Sequence, residues 1–273
     1  MELITLIENK TSVNHLKCEH GLSFYLKFKD VIILFDLGQS GKFIANAEQL
    51  GIDLTKVDYV VLSHGHYDHT GGLPAFFEIN IKAKVYLHRE ALKERFSWST
   101  QMIKPNHIAW RDDVALYSNR FIFVDEPLEL VPGLWLLTNI GKSKGMRLTN
   151  KKLIVRKNNV NECDQFEDEI VIVAKDKDLP VVLNGCAHHG IINILNEVKA
   201  QLGFDHYQLI AGGLHLNGQS EETIQKVIDE LKPFSVEKWA INHCTGEKAV
   251  EVFINAFPNR VEYCHTGIKH ELD

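Results

Sequence analysis

The sequence predicts a mixed α/β fold with helices packed outside two sheets. Three observations carry this expectation. Strand-length apolar runs follow one another near the N-terminus without helical segments between them, later runs alternate with helix-like segments, and no long apolar or low-complexity tract interrupts the chain. With 273 residues, 45% hydrophobic and 24% charged, the chain is long enough for a large buried core and ordinary in composition for a globular protein.

In order, the strand-like runs are LITLI, LSFYLKF (Leu22 to Phe28), VIILF (Val31 to Phe35), DYVVLS (Asp58 to Ser63), AKVYLH (Ala83 to His88), FIFVD, LWLLT, EIVIVA, PVVLNG, YQLIAG, KWAINH and RVEYC. Helix-like segments fall between many of them. FIANAEQL ends at Gly51, a left-handed cap, and REALKERF follows AKVYLH. SEETIQKVIDELK opens on Ser220 as N-cap with two glutamates in its first turn, which suits the helix dipole, and GEKAVEVFINAF precedes the last strand. A single domain spanning residues 1–273 is expected, with irregular insertions at about 97–119 and 141–168.

Charge and cysteine usage exclude several classes. Thirty Lys plus Arg against 36 Asp plus Glu leave a formal charge of -6, with the cations scattered, so no nucleic-acid platform is expected. The start MELITLIENK lacks the basic and apolar segments of a secretory signal, and no apolar run reaches the roughly 18–20 residues that span a bilayer. A cytoplasmic enzyme without membrane contact is the resulting expectation. Five cysteines, with no CxxC pair, read as reduced thiols.

Histidine is the compositional outlier, at 14 residues. The segment VVLSHGHYDHTGG places His64, His66, Asp68 and His69 directly after a strongly apolar strand. Side chains two apart at a strand end lean the same way, so His64 and His66 can grip one ion from a single side. Asp68 and His69, a turn further on, can face a neighbouring ion. Imidazole plus carboxylate suits Zn²⁺, and also Fe or Mn.

SHGHYDHTGG resembles the HxHxDH signature of the metallo-β-lactamase fold superfamily. The resemblance implies an αββα four-layer sandwich with a dinuclear metal site at one edge of the sheets. FDLGQSGKFIANAEQLGIDLTKVDYVVLSHGHYDHTGG, NGCAHHGIINIL, AGGLHL and INHCTGEKA are together similar to a narrower branch. That branch comprises metal-dependent hydrolase-like proteins related to the dihydropterin-methyl ribofuranosylaminobenzene phosphate synthase of methanopterin biosynthesis. The similarity is weakest between Phe96 and Asp168.

Beside that resemblance, later histidines complete the expected shell. His188 in NGCAHHG and His243 in INHCTG each follow a strand and precede a glycine turn, and both are expected as ligands. His189 is expected as a neighbour behind them or facing solvent. Cys186 is a possible additional ligand, as is His215 in AGGLHL, which either ligates in place of His243 or contacts substrate. His265 is a weaker candidate. Asp36, which ends VIILF, is expected to orient a ligand histidine. The remaining histidines, His15, His20, His88, His107, His206 and His270, need no role beyond packing or surface, though His88 or His107 can border the substrate.

Two divalent ions are therefore expected, with zinc favoured and iron, manganese or magnesium compatible. Asp68 would hold the second ion and help orient a water. Such a site supports hydrolysis of a small ester or phosphoester, because a metal lowers the pKa of water from ~15.7 to near neutrality. The branch resemblance implies instead that the ions bind the diphosphate leaving group of a dihydropterin while an aromatic nucleophile displaces it. Lys142, Lys144, Arg147, Lys151 and Lys152 could assist an anionic substrate or form a solvated face, and Trp98, Trp110 and Trp135 are as easily core as stacking surfaces. A metallonuclease, and a non-catalytic metal-binding or sensing protein, are the alternatives from other classes. Neither the length nor the charge leaves room for a clamp domain, and a complete HxHxDH argues for turnover.

Overall fold

A computed structural model describes residues 1–98, 106–110, 114–142, 145–147 and 152–272. Its strands form two seven-stranded sheets and one four-stranded sheet among the described residues. Across the first sheet, the order is β18 (Lys269–Glu271), β1 (Glu2–Ile7), β2 (Ser23–Phe28), β3 (Val31–Phe35), β4 (Tyr59–Val61), β5 (Lys84–Leu87) and β8 (Phe121–Phe123). The second runs β17 (Val261–Tyr263), β16 (Ser235–Asn242), β15 (His206–Gly213), β14 (Val181–Asn184), β13 (Val171–Ala174), β10 (Leu134–Leu137) and β9 (Leu128–Val131).

Successive side chains point to opposite faces of a strand, so runs apolar at nearly every position become strands buried on both faces. In the first sheet, Leu3, Phe24, Leu26, Phe28, Ile33 and Phe35 turn inward onto Leu134, Leu136, Ile172, Leu183, Leu209 and Ala240 of the second. Their alternates, Ile4, Tyr25 and Leu34, face outward onto α1 (Lys42–Gln49) and α3 (Leu73–Ile79) through Phe43, Ala47 and Phe76. On the far side, Val171, Val173, Val182, Ile210 and Trp239 pack against α4 (Ile191–Leu202), α5 (Glu221–Leu231) and α6 (Glu247–Ala256). The four layers are therefore helix, sheet, sheet, helix, as the resemblance implies.

Ser220 Oγ accepts from the Thr223 amide and so caps α5, and Gly51 has φ +71 beyond α1. REALKERF departs from its expected helix: Arg89–Leu92 makes one 3₁₀ turn, and the chain then extends as β6 (Arg95–Ser97). Arg95 is the cause, because its side chain is buried and ion-paired with Asp164 and Asp168. The two stretches expected to be irregular are also partly ordered. They pair with each other in a sheet ordered β12 (Val160–Cys163), β11 (Leu153–Lys157), β6 and β7 (Asn106–His107). Their pairing is long-range, so no local pattern announces it.

Topology decides where chemistry can sit. β3, β4, β5 and β8 are parallel, as are β14, β15, β16 and β17. The carboxyl ends of β3, β4, β14, β15 and β16 lead into Asp36, His64, Cys186, His215 and His243 respectively. In such sheets the crevice outside the carboxyl ends is where ligands bind.

Candidate metal centre

Backbone conformation is unusual at this edge. Asp36, Ala187, His215 and His243 all have φ between 50° and 61°, a left-handed region costly to residues with a Cβ. Such strain persists only where the surroundings enforce it, and here it turns side chains at strand ends into one cleft.

The innermost cluster is built by the loop after β4. His64 Nε2 lies 3.0 Å from His66 Nδ1 and 3.3 Å from His188 Nε2. The Ser63 hydroxyl donates to Asp36 Oδ2 at 2.7 Å, so Ser63 Oγ accepts from His64 Nδ1–H and leaves the His64 Nε2 lone pair facing the other two rings. Burial holds all three imidazoles neutral, with the pKa of His66 lowered to about 3 and those of His64 and His188 well below the ordinary range. Phe166 stacks on His188 at 3.9 Å and closes the cluster from one side.

The supports of this cluster are themselves buried. Asp36 accepts from the Ser63 amide and faces His69 Nδ1 at 2.7 Å, which directs His69 Nε2 into the cleft. Burial opposes charge on His69, but Asp36 and Asp68 raise its pKa to about 9. Glu169 accepts from the backbone amides of His188 and His189 and from His189 Nδ1. His189 is accordingly buried, not solvent-facing. Gly65, between the two motif histidines, donates to Asp168 Oδ2 at 2.7 Å, and Asp168 is held by Arg95 at 2.8 Å.

A second group surrounds Asp68. Its Oδ2 stands 3.1 Å from His20 Nε2, 3.4 Å from His243 Nε2 and 3.7 Å from His69 Nε2. Burial opposes ionisation of Asp68, yet these imidazoles hold its carboxyl well below the usual carboxylate range. His243 Nδ1 faces Asn9 Oδ1 at 2.9 Å, and the amide of His243 donates to buried Glu8. Between the groups lies Cys186, whose sulfur is 3.3 Å from His69 Nε2; burial pushes its thiol up.

Hydrogen bonding does not close on itself here. Among the described residues, His66 Nε2 and His243 Nε2 are buried without a hydrogen-bond partner, although His243 Nε2 lies 3.4 Å from Asp68 Oδ2. Donor atoms lie within 4.8 Å of one another in the sets His64–His66–His188, His64–His69–Cys186, Cys186–His188–His215, Cys186–His243–Cys244 and His20–Asp68–His243. Convergent imidazole nitrogens, a carboxylate and a sulfur are a donor set that fits a borderline cation such as Zn²⁺.

Of the predicted residues, His66, Asp68, Cys186, His188, His215 and His243 line one cavity, His64 and His69 are buried against them, and Asp36 holds His69. His265 joins none of these sets and lies beside Tyr263. His20, expected at the surface or in packing, contacts Asp68, and Asn9, Glu169, Asp168 and Cys244 are further neighbours. The local signals for them are slight: Cys244 follows His243 directly in HCTG, and His20 sits between Glu19 and Gly21. His107 is exposed on β7, while Asn106 and Ile108 line the cavity.

That cavity measures about 470 Å³ and is walled by His66, Asp68, His188, His215, His243 and Cys244 together with Asn9, His20, Tyr67 and Asn217. A larger cleft of about 760 Å³ lies against α5 and α6, away from these donors. Arg147 and Lys152 do not line the cavity; Arg147 donates to Gln165. Lys144 and Lys151 lie outside the described residues. Trp110 is buried in the core behind the first sheet, Trp135 packs on the second, and Trp98 is partly exposed.

The family model of the metallo-beta-lactamase superfamily matches residues 16–133. A crystal structure of a metal-dependent hydrolase of the β-lactamase superfamily is 32% identical, with a TM-score of 0.84, covering 100% of this chain and 99% of that one. The chain belongs to the metallo-β-lactamase superfamily. A curated relative, the 7,8-dihydropterin-6-methyl-4-(β-D-ribofuranosyl)-aminobenzene-5'-phosphate synthase of Methanocaldococcus jannaschii, is 28% identical over 280 residues, 98% of this chain and 95% of that protein. Zn²⁺-bound PqqB from Methylobacterium extorquens shares the metallo-β-lactamase fold at 12% identity and a TM-score of 0.59, covering 100% of both chains.

Proposed function

We propose that this metallo-β-lactamase-fold chain is a single-domain, metal-dependent enzyme with a dinuclear site that hydrolyses a small ester or phosphoester. The observation that carries the reading is the convergence of His64 Nε2, His66 Nδ1 and His188 Nε2 beside Asp68 at the wall of a small-molecule-sized cavity. His64, His66 and His188 would hold the first ion, and Asp68, His69 and His243 the second. Zinc is the ion the donor set favours. Ions held there would supply Lewis acidity to an oxygen of the substrate and lower the pKa of an attacking water.

The chain's own residues do the rest. Asp36 and Ser63 fix the tautomers of His69 and His64 so that their Nε2 atoms face the cleft. Glu169 and Asp168 hold the backbone that carries His188 and His66. Asp68, kept ionised, would hold the second ion and help orient a water against the scissile bond.

A second reading is favoured by the near-full-length similarity to the dihydropterin synthase. In it, the same cleft binds the diphosphate of a dihydropterin methyl diphosphate while an aminobenzene riboside phosphate displaces it. One assay separates the two. The protein is incubated with a phosphodiester and ester panel, and separately with the dihydropterin diphosphate with and without its aromatic partner. Hydrolysis of panel members supports the first reading, whereas diphosphate release only when both pterin and aromatic substrates are present replaces it with the second. In parallel, element analysis is expected to find close to two transition-metal ions per chain, lost in the His64→Ala/His66→Ala variant and retained in His107→Ala. One ion or none would sink the dinuclear site.

A further inference from the structure

His20 stands against Asp68 too deliberately for a loose surface residue. On its N-terminal side, buried Glu19 accepts from the Gln39 and Ser40 amides and the Ser40 hydroxyl, while the Glu19 amide donates to the Glu8 carbonyl. On the other side, Gly21 has φ +149, and a Cβ there would lie 2.5 Å from the carbonyl oxygen of Asp68. The Leu22 amide donates to that same carbonyl at 3.2 Å. The turn carrying His20 is thus stitched to the backbone of Asp68 itself.

The distances need only a small adjustment, about 0.2 Å at His20, to become those of shared ligation. Two donors on one tetrahedral ion, with bonds of about 2.0–2.2 Å, stand roughly 3.3–3.6 Å apart. Asp68 Oδ2 is 3.1 Å from His20 Nε2 and 3.4 Å from His243 Nε2, and the three donor atoms lie within 4.8 Å of one another. Asn9 joins both histidines to one frame, since its Oδ1 accepts from the Gly21 amide and faces His243 Nδ1. The His20 side chain remains 55% exposed, at the rim of the cavity.

We propose that His20 is a ligand of the ion held by Asp68 and His243, an imidazole delivered from the turn between β1 and β2. This rests on the reading of the cleft as a two-ion centre. The ion at Asp68 is then the solvent-facing, more exchangeable one, and the buried site of His64, His66 and His188 is independent of His20.

The test is Co²⁺ titration of the chelator-stripped full-length chain by equilibrium dialysis, with visible absorption followed in parallel. The wild type binds two ions. His20→Ala and His20→Gln keep the first at unchanged affinity and bind the second on the order of 1000-fold more weakly or worse, beyond the roughly 10–100-fold effect of losing an outer hydrogen bond. The glutamine amide can still donate to Asp68. Wild-type affinity for the second ion in His20→Gln but not His20→Ala would make the role a hydrogen bond and overturn the proposal. Two ions bound normally in both variants, or both ions weakened equally, would overturn it as well. A wild type that binds fewer than two ions fails at the earlier step, the two-ion reading, and is recognised as such before any variant is examined.

Discussion

Asp36 shows how one side chain organises the cleft. It is fully buried and receives the Ser63 amide, the Ser63 hydroxyl and His69 Nδ1. Asp36→Ala leaves all three donors without an acceptor, so urea denaturation of the metal-free protein should show a loss of about 3–5 kcal/mol. Metal affinity should fall about 10–100-fold, because two rings lose their orientation. A different residue governs alkaline stability. Burial raises the Cys264 thiol pKa to about 12, so the folded chain keeps a proton that the unfolded chain releases near pH 9. The unfolded state therefore gains as pH rises through that window, and stability should drop by roughly 1.4 kcal/mol per pH unit between pH 9 and 12. Cys264→Ala should remove that part of the slope in denaturation curves at pH 8 and pH 10; an unchanged slope would refute the assignment.

At the scale of elements, the strand ends and the third sheet control the site. Gly212, at φ +134 near the end of β15, would place a Cβ 1.9 Å from the Asn184 carbonyl oxygen, so β14 and β15 could not keep their register. Gly212→Ala is expected to lower the melting temperature sharply and to disturb metal binding through His215 and Cys186. Arg95 links β6 to the motif loop through Asp168, whose other oxygen holds the Gly65 amide. Arg95→Ala leaves Asp164 and Asp168 buried without their cation and should cost about 3–5 kcal/mol, read by chemical denaturation. Arg95→Lys cannot reproduce the two-point fork and should recover only part of it.

On the scale of the whole molecule, the donors come from both halves of the sandwich. His64, His66, Asp68 and His69 follow β4 of the first sheet, whereas Cys186, His188, His215 and His243 follow strands of the second. Ions shared between them would cross-link the sheets, so binding should stabilise the fold in proportion to ligand excess, about 2.7 kcal/mol at 100 times Kd. Chelation followed by calorimetry should show a lower melting temperature that zinc restores. No described helix is long and apolar enough to cross a membrane.

The alternating strands, the α5 cap and the HxHxDH turn were legible in the sequence because each is a local pattern of period, capping or ligand spacing. Those patterns gave a mixed α/β fold with helices outside two sheets and the first four candidate donors, and the family resemblance of the HxHxDH turn implied the four-layer sandwich. Only the tertiary structure decided the rest. His20 and Asn9 are far from Asp68 and His243 along the chain, and no periodicity links them. REALKERF has a helical composition, yet a buried Arg95 and its distant aspartates draw it into a strand. Parallel pairing of β14, β15 and β16 is what aligns Cys186, His215 and His243 at one edge, and such pairing is a long-range outcome of burying two sheet faces at once.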